Sequence, residues 1–268
     1  MMLNIERGIV LIKAVVFDMG GVIQTSKISA EKQMQVAVDI IQLLGTRGLI
    51  ISDTASTFLE KLKQADKERR RICEETLQEV SPLRAWVDLY LKDYGADDSQ
   101  IFPIANELSV RWSRDRGVDT PREGLLQCLS DLQSQGMRLA VISNTFSRTL
   151  VPSQLAGYGT LEYFEYILLS SVCGIRKPAV KIFDICQESM NLSKGELAYV
   201  GDTISRDVIG VKNAEWELMI RIAHPEAKAA SLEREKKLED KGYHPDYFVH
   251  QLTEIPDIIQ QYNLNLSE

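Results

Sequence analysis

Six side chains in this sequence have the types and spacing to do chemistry together: Asp18, Ser143, Asn144, Lys177, Asp202 and Asp207. Asp18 closes the apolar run "AVVFD" and is followed by Met19, Gly20 and Gly21. A carboxylate at the end of a buried strand costs free energy unless it is paired or metal-bound. Glycines after it let the backbone turn sharply and expose its N–H and C=O groups. The combination suits a nucleophile or metal ligand beside a phosphate-cradling loop; taken alone it suits a turn or a helix N-cap as well. Ser143 and Asn144 close "RLAVISN". A hydroxyl and an amide there can bind phosphate oxygens or cap the next helix. Lys177 precedes Pro178, a residue suited to a first helical turn. A lysine fixed there neutralises a carboxylate and a phosphate at once; a free one lies in solvent. Asp202 closes "LAYVGD", and Asp207 follows in "TISRD". Three clustered carboxylates repel one another unless a cation joins them, and Mg²⁺ takes one or two carboxylates plus waters and substrate phosphate.

The elements that must position these groups are legible around them. "AVVFD", "RLAVISN" and "LAYVGD" are near-continuous apolar runs rich in β-branched residues. Such runs are buried on both faces, as in a parallel sheet covered by helices. Ligands of open parallel sheets bind at the carboxyl ends of the strands. Further strands are expected at "YFEYILLSS", "WELMIRI" and "DYFVH". Helices are expected at "PREGLLQCLSDLQSQG" from Pro121, at "PAVKIFDICQESM" from Pro178, and at "IPDIIQQY". The alternation gives an α/β class. Residues 25–117 break it: four helix-like segments follow one another with no β-rich run. They read as a helical insertion, either a lid over the strand ends that excludes water and selects substrate, or a stabilising appendage. Arg69, Arg71, Trp86, Arg111, Trp112 and Arg114 are the candidate lid contacts. The charged runs read as solvated surfaces: Lys67–Arg71 as a helix face, the alternative being one that faces an anionic ligand, and Pro225–Gly242 as a surface helix or mobile loop.

Composition narrows the function further. The 268 residues suit one core with a substantial insertion, and 44% hydrophobic residues supply that core. A net charge of −7 excludes a global positive field for nucleic acid or an anionic membrane. An anionic substrate therefore needs a local positive site. Cys73, Cys128, Cys173 and Cys186 have neither zinc nor disulfide-framework spacing, and read as small core residues in a reducing compartment. The run Ile9–Phe17 is interrupted by Lys13 and too short to cross a bilayer. A cytoplasmic protein, monomeric or homodimeric, is expected.

Four segments, in order, resemble the four motifs of the haloacid dehalogenase-like (HAD) hydrolase superfamily: "VVFDMGGVI", "VISNT", "RKPAVKIF" and "VGDTISRD". The segment leading into the second motif and the closing "HPDYFVHQLTEIPDII" are similar too, so the resemblance covers nearly the whole chain. It implies a Rossmann-like core (residues 1–24 and 118–268) with an all-α helical cap (25–117), as in the subfamily whose cap follows the first motif. Carried over, Asp18 is the nucleophile that forms an aspartyl-phosphate. Gly20 offers its backbone carbonyl to Mg²⁺ and, with Gly21, belongs to the substrate-binding loop. Ser143 and Asn144 orient the phosphoryl group, and Lys177 stabilises Asp18 and the transferring group. Asp202 ligates Mg²⁺, and Asp207 supports the metal directly or through water.

One position departs from the pattern. Family phosphatases typically carry a second Asp two residues after the nucleophile, where this chain has Gly20. That acid protonates the leaving alkoxide and then deprotonates water, help worth roughly 10²–10⁴ in rate. The three histidines, His224, His244 and His250, lie late in the chain and outside the motifs. The resemblance thus implies a Mg-dependent phosphatase of a small phosphorylated metabolite with a good leaving group. The alternatives are a non-catalytic phospholigand-binding or regulatory protein, and a 2-haloacid dehalogenase; the family's dehalogenases usually lack the "GD…D" pair present here.

Overall fold

The computed structural model describes residues 10–225 and 229–267. The first nine residues of the expected core, and Glu226–Lys228 of the charged run, lie outside the described residues. Six parallel strands form the main sheet: β1 (Ala14–Phe17), β4 (Arg138–Ser143), β5 (Tyr166–Leu169), β6 (Leu197–Gly201), β7 (Leu218–Ile222) and β8 (Tyr247–Val249), in the order β5-β4-β1-β6-β7-β8. Between β1 and β4 the chain forms β2 (Gln24–Ile28) and β3 (Gly117–Pro121), an antiparallel pair.

The central strands are apolar throughout because both faces are covered. Val15 and Phe17 face one core, shared with helices Leu125–Ser134 and Ile255–Ser267. Ala14 and Val16 face the other, shared with helices Val180–Met190 and Ile209–Ala214. This is the two-residue alternation of a strand read on two buried sides. Full burial contributes ~1.5–3 kcal/mol for each Val, Leu or Phe side chain. β1 lies between β4 and β6 in register, Phe17 opposite Val141 and Val200. The chain therefore carries Asp18, Ser143 and Asp202 out of three adjacent strand ends.

A second core lies in the helical segment, built from helices Ala30–Gly45, Ala55–Thr76 and Ala105–Arg114 and a π-helical turn over Ala85–Tyr90. Ile40, Leu44, Phe58, Leu62, Trp86 and Trp112 are fully buried there. Phe146, just beyond β4, joins this core and lies parallel to Tyr90 at 6.3 Å.

Three expectations change. The block from residue 25 is not purely helical: β2 begins it, and the β2–β3 pair straddles both ends of the segment. Its strands are short, polar and mostly exposed, so no hydrophobic alternation marks them. Pro121 ends β3, and the following helix starts at Leu125 rather than at the proline. Pro178 likewise precedes its helix, which starts at Val180. The charged run is also not solvated throughout. Glu235 of helix Ala229–Glu239 is buried and accepts from the Ile204 N–H.

Candidate active site

Asp18, Lys177, Asp202 and Asp207 meet at the carboxyl end of the sheet, all buried. Oxygens of Asp18, Asp202 and Asp207 lie within 4.8 Å of one another. Among the described residues no other trio of His, Cys, Asp or Glu does so. Lys177 reaches into the trio, its Nζ 2.9 Å from Asp18 Oδ1 and 2.7 Å from Asp207 Oδ1. The Met19 N–H donates to Asp18 Oδ1 at 2.7 Å. Burial raises the Asp18 carboxyl above its usual range, with a contribution from Asp207 that Lys177 and Arg206 only partly offset. Burial would lower the lysine; the charges of Asp18 and Asp207, and hydrogen bonds to both, hold it above its ordinary value instead.

Asp202 and Asp207 sit in opposite environments. Asp207 is saturated: Oδ2 accepts from the Thr203 N–H at 3.0 Å and hydroxyl at 2.7 Å, and Oδ1 from Lys177 and the Tyr199 hydroxyl at 3.3 Å. Burial opposes its ionisation, but Lys177, Arg206 and these hydrogen bonds keep it below the usual carboxylate range. Asp202 Oδ1 is buried without a hydrogen-bond partner among the described residues. Its nearest cation is Arg206 Nη2 at 4.0 Å. Burial, then Asp207 and Asp18, push Asp202 up to about 8. A buried, unpartnered carboxylate oxygen beside two more carboxylates is the donor set a hard divalent cation takes.

The two glycines after Asp18 differ in what fixes them. Gly21 has φ +80°, and a Cβ there would fall on the Asp202 carboxylate and 2.8 Å from His224 Cδ2. Gly20 is exposed, and a Cβ there would meet nothing within 4 Å. Only Gly21 is required by the packing. The loop is braced by Arg122, which donates to the Gly21 carbonyl at 2.7 Å and the Ala223 carbonyl at 2.9 Å.

Ser143 is buried at the end of β4. Asn144 spends its carboxamide on the neighbouring loop: Nδ2 donates to the Lys177 carbonyl at 3.0 Å, and Oδ1 accepts from the Lys177 N–H at 2.9 Å. That pairing fixes the backbone from which Lys177 extends. Of the six candidate lid contacts, Trp86 and Trp112 are core. Arg71, Arg111 and Arg114 make surface pairs with Glu68 and Glu75, Glu107, and Asp115 respectively. Arg69 alone turns inward: it is buried, 3.1 Å from Asp66 Oδ1 and 3.1 Å from Glu79 Oε1.

Sequence reasoning passes over Tyr199, Thr203, Arg206 and His224. Tyr199 lies within a buried strand and looks like core; its hydroxyl accepts from Lys177 Nζ at 2.6 Å. Arg206 adjoins Asp207 in "SRD", a position that was the available signal. His224 follows β7, and only strand order brings it beside Gly21.

The family model described as haloacid dehalogenase-like hydrolase matches residues 12–215. The chain belongs to that family. It is 35% identical over 135 residues to the human haloacid dehalogenase-like hydrolase domain-containing protein 3, covering 47% of this chain and 50% of that one. The Methanocaldococcus jannaschii glyceraldehyde 3-phosphate phosphatase is 27% identical over 140 residues, covering 52% of this chain and 57% of that protein. The chain thus spans about half the length of the curated relatives it matches. A solved 2-haloacid dehalogenase from Pseudomonas syringae shares the HAD fold at TM-score 0.64 and 19% identity, covering 94% of this chain and all (100%) of that one. No helix among the described residues is long and apolar enough to cross a membrane.

Proposed function

We propose that this HAD-like hydrolase is a Mg-dependent phosphatase of a small phosphorylated metabolite, working through an aspartyl-phosphate on Asp18. The observation that carries the reading is Lys177 bonded to both Asp18 and Asp207, beside an Asp202 oxygen left unpartnered. The phosphatase name of the Methanocaldococcus relative supports it.

Asp18 and Asp202, with the Gly20 backbone carbonyl, would hold Mg²⁺; Asp207, saturated by Lys177 and Thr203, would support it indirectly. Bound there, the ion would supply positive charge to phosphate oxygens in the transition state. A carboxylate oxygen of Asp18 attacks phosphorus, and the bond to the leaving oxygen breaks with its electrons. Lys177, held by Asp207 and Tyr199, stabilises the charge on the transferring group. Ser143 orients the phosphoryl oxygens, and Asn144 fixes the Lys177 backbone. Water then attacks the aspartyl-phosphate, releasing inorganic phosphate and restoring Asp18. Residues 25–117 act as the cap and 118 onward completes the core, with the β2–β3 pair as the joint.

With glycine at position 20 the departing oxygen receives no proton from that side. Substrates with good leaving groups, such as acyl, enol or aryl phosphates, are therefore favoured. The open space over Gly20 suits the test, because a Cβ there meets nothing within 4 Å. Gly20→Asp is expected to raise kcat for alkyl phosphates roughly 10²-fold or more and to leave aryl phosphates nearly unchanged. Equal effects on both classes would defeat the missing-acid argument. Gly20 also favours a second reading, a phospholigand-binding protein without turnover. Binding of a phosphate analogue with no hydrolysis of any ester in a broad panel would select it.

A further inference from the structure

A cavity of about 230 Å³ opens between the helical segment and the sheet end, lined by Asn144 and Thr145 on one side and Asp66 and Arg70 on the other. Five arginines border it: Arg69, Arg70, Arg116, Arg176 and Arg206. In a chain of net charge −7 this is the local positive site that an anionic ligand requires.

The carboxylates present do not balance it. Asp66 serves three arginines, with Arg69 at 3.1 Å, Arg70 at 3.0 Å and Arg116 at 3.6 Å. Glu79 pairs with both Arg69 and Arg176 from behind. Glu74 is the other acid on the wall. With Arg206 set against Asp202, the other four arginines face these three acids and one positive charge remains in excess. Donors remain too. The Nε of Arg116 is buried without a hydrogen-bond partner among the described residues, its guanidinium stacked 4.5 Å over Trp112. Arg206 connects the cavity to the catalytic end, with Nη2 4.0 Å from Asp202 Oδ1.

We infer that this cavity binds a second anionic group of the substrate, a carboxylate or a second phosphate, while the scissile phosphate sits at Asp18. Guanidinium forks match planar or tetrahedral oxyanions in two-point contacts. At about 230 Å³ the cavity is below ordinary drug-sized sites and suits one small anionic group, as on a phosphorylated acid or bisphosphate. The inference rests on the phosphatase reading for the placement of the first phosphate, but its test does not depend on turnover.

The test is calorimetric binding, in Mg²⁺ buffer, of three non-hydrolysable probes: phosphonoacetate, propane-1,3-bisphosphonate and 2-hydroxyethylphosphonate. At least one of the two probes with a second anionic group is expected to bind about 10- to 100-fold more tightly than the hydroxyethyl compound, the gain from one or two charged hydrogen bonds. The tighter of the two names the second anion. Arg116→Gln and the half-exposed Arg70→Gln should each cut that advantage about tenfold. Arg70→Gln guards against misfolding, because its side chain is 56% exposed. Equal binding of all three probes, or variants that weaken all three alike, overturns the inference. If the advantage is present and arginine-dependent while no phosphate ester is hydrolysed, the phosphatase reading fails and the anion site stands.

Discussion

Two buried charge clusters face each other across the joint between sheet and helical segment, and they are built as opposites. At the sheet end, three carboxylates surround one lysine. In the helical segment, three arginines surround one carboxylate, Asp66. Burial would raise Asp66 as it raises Asp202. Yet Arg70, Arg69, the Tyr90 hydroxyl and Arg116 hold Asp66 well below the usual carboxylate range. Asp202, buried beside Asp207 and Asp18 and with its nearest cation, Arg206, at 4.0 Å, is pushed up to about 8. The same side chain is thus a structural anchor in one cluster and a frustrated group in the other. An excess of buried negative charge invites a metal ion, and an excess of positive charge invites an anion; a metal-bound phosphate with a second anionic group satisfies both.

The largest separation between the clusters should come from removing one acid from each, Asp18 at the sheet end and Asp66 in the helical segment. Asp18→Asn is expected to abolish phosphate-ester turnover while leaving the denaturant midpoint equal or higher, since it relieves repulsion with Asp207. Asp66→Asn should do the reverse in kind. It leaves Arg116 without its carboxylate and takes one of two from the buried Arg69, and is expected to cost ~3–5 kcal/mol of stability, read from the urea midpoint. If Asp18→Asn destabilises more than Asp66→Asn, the contrast between site and anchor is wrong.

The next effect is metal-linked stabilisation. Mg²⁺ at 100 times its Kd should raise unfolding free energy by ~2.7 kcal/mol, measured as a shift in the urea midpoint. Asp202→Asn should remove most of that shift, and Asp66→Gln should keep it. A shift of equal size in both variants would place the ion elsewhere.

The difference in character also explains what could be read from the chain. The sheet end was legible because three of its site residues end apolar runs: Asp18 after "AVVF", Ser143 after "RLAVI", Asp202 after "LAYVG". Parallel strands bring such ends together, so local pattern carried long-range information. The arginine cluster had no such anchor. Arg69 and Arg70 stand in "KERRR", where Arg71 is exposed, and only helix phase decides which turns inward. Arg116 and Arg176 come from loops far apart in sequence. Tyr199 was hidden differently, as an aromatic in a strand whose polar tip meets Lys177 only after folding. β2 and β3 escaped notice because an exposed two-stranded pair needs no apolar face.

The most direct comparison is with pH, because the two clusters should give stability profiles of opposite sign. Asp202 in the metal-free fold has its pKa raised from 3.8 to about 8. The folded state keeps a proton that the unfolded chain loses, so this contribution is complete below about pH 4 and fades as pH rises toward about 8. Asp66 is depressed from 3.8. Its contribution is complete above that value and is lost as pH falls through its folded pKa. Urea melts in chelator from pH 4.5 to 8 should therefore show stability falling with pH, by up to ~1.4 kcal/mol per unit for one proton. Asp18, shifted in the same direction, adds to the slope. Asp202→Asn should reduce it by about one proton's worth, and saturating Mg²⁺ should flatten it by keeping the carboxylates ionised in the fold. Asp66→Asn should leave the slope untouched in this window and instead remove the loss of stability below pH 4. A wild-type slope that survives both Asp202→Asn and added Mg²⁺ would mean that the frustrated carboxylate is not the group that the sheet end strains.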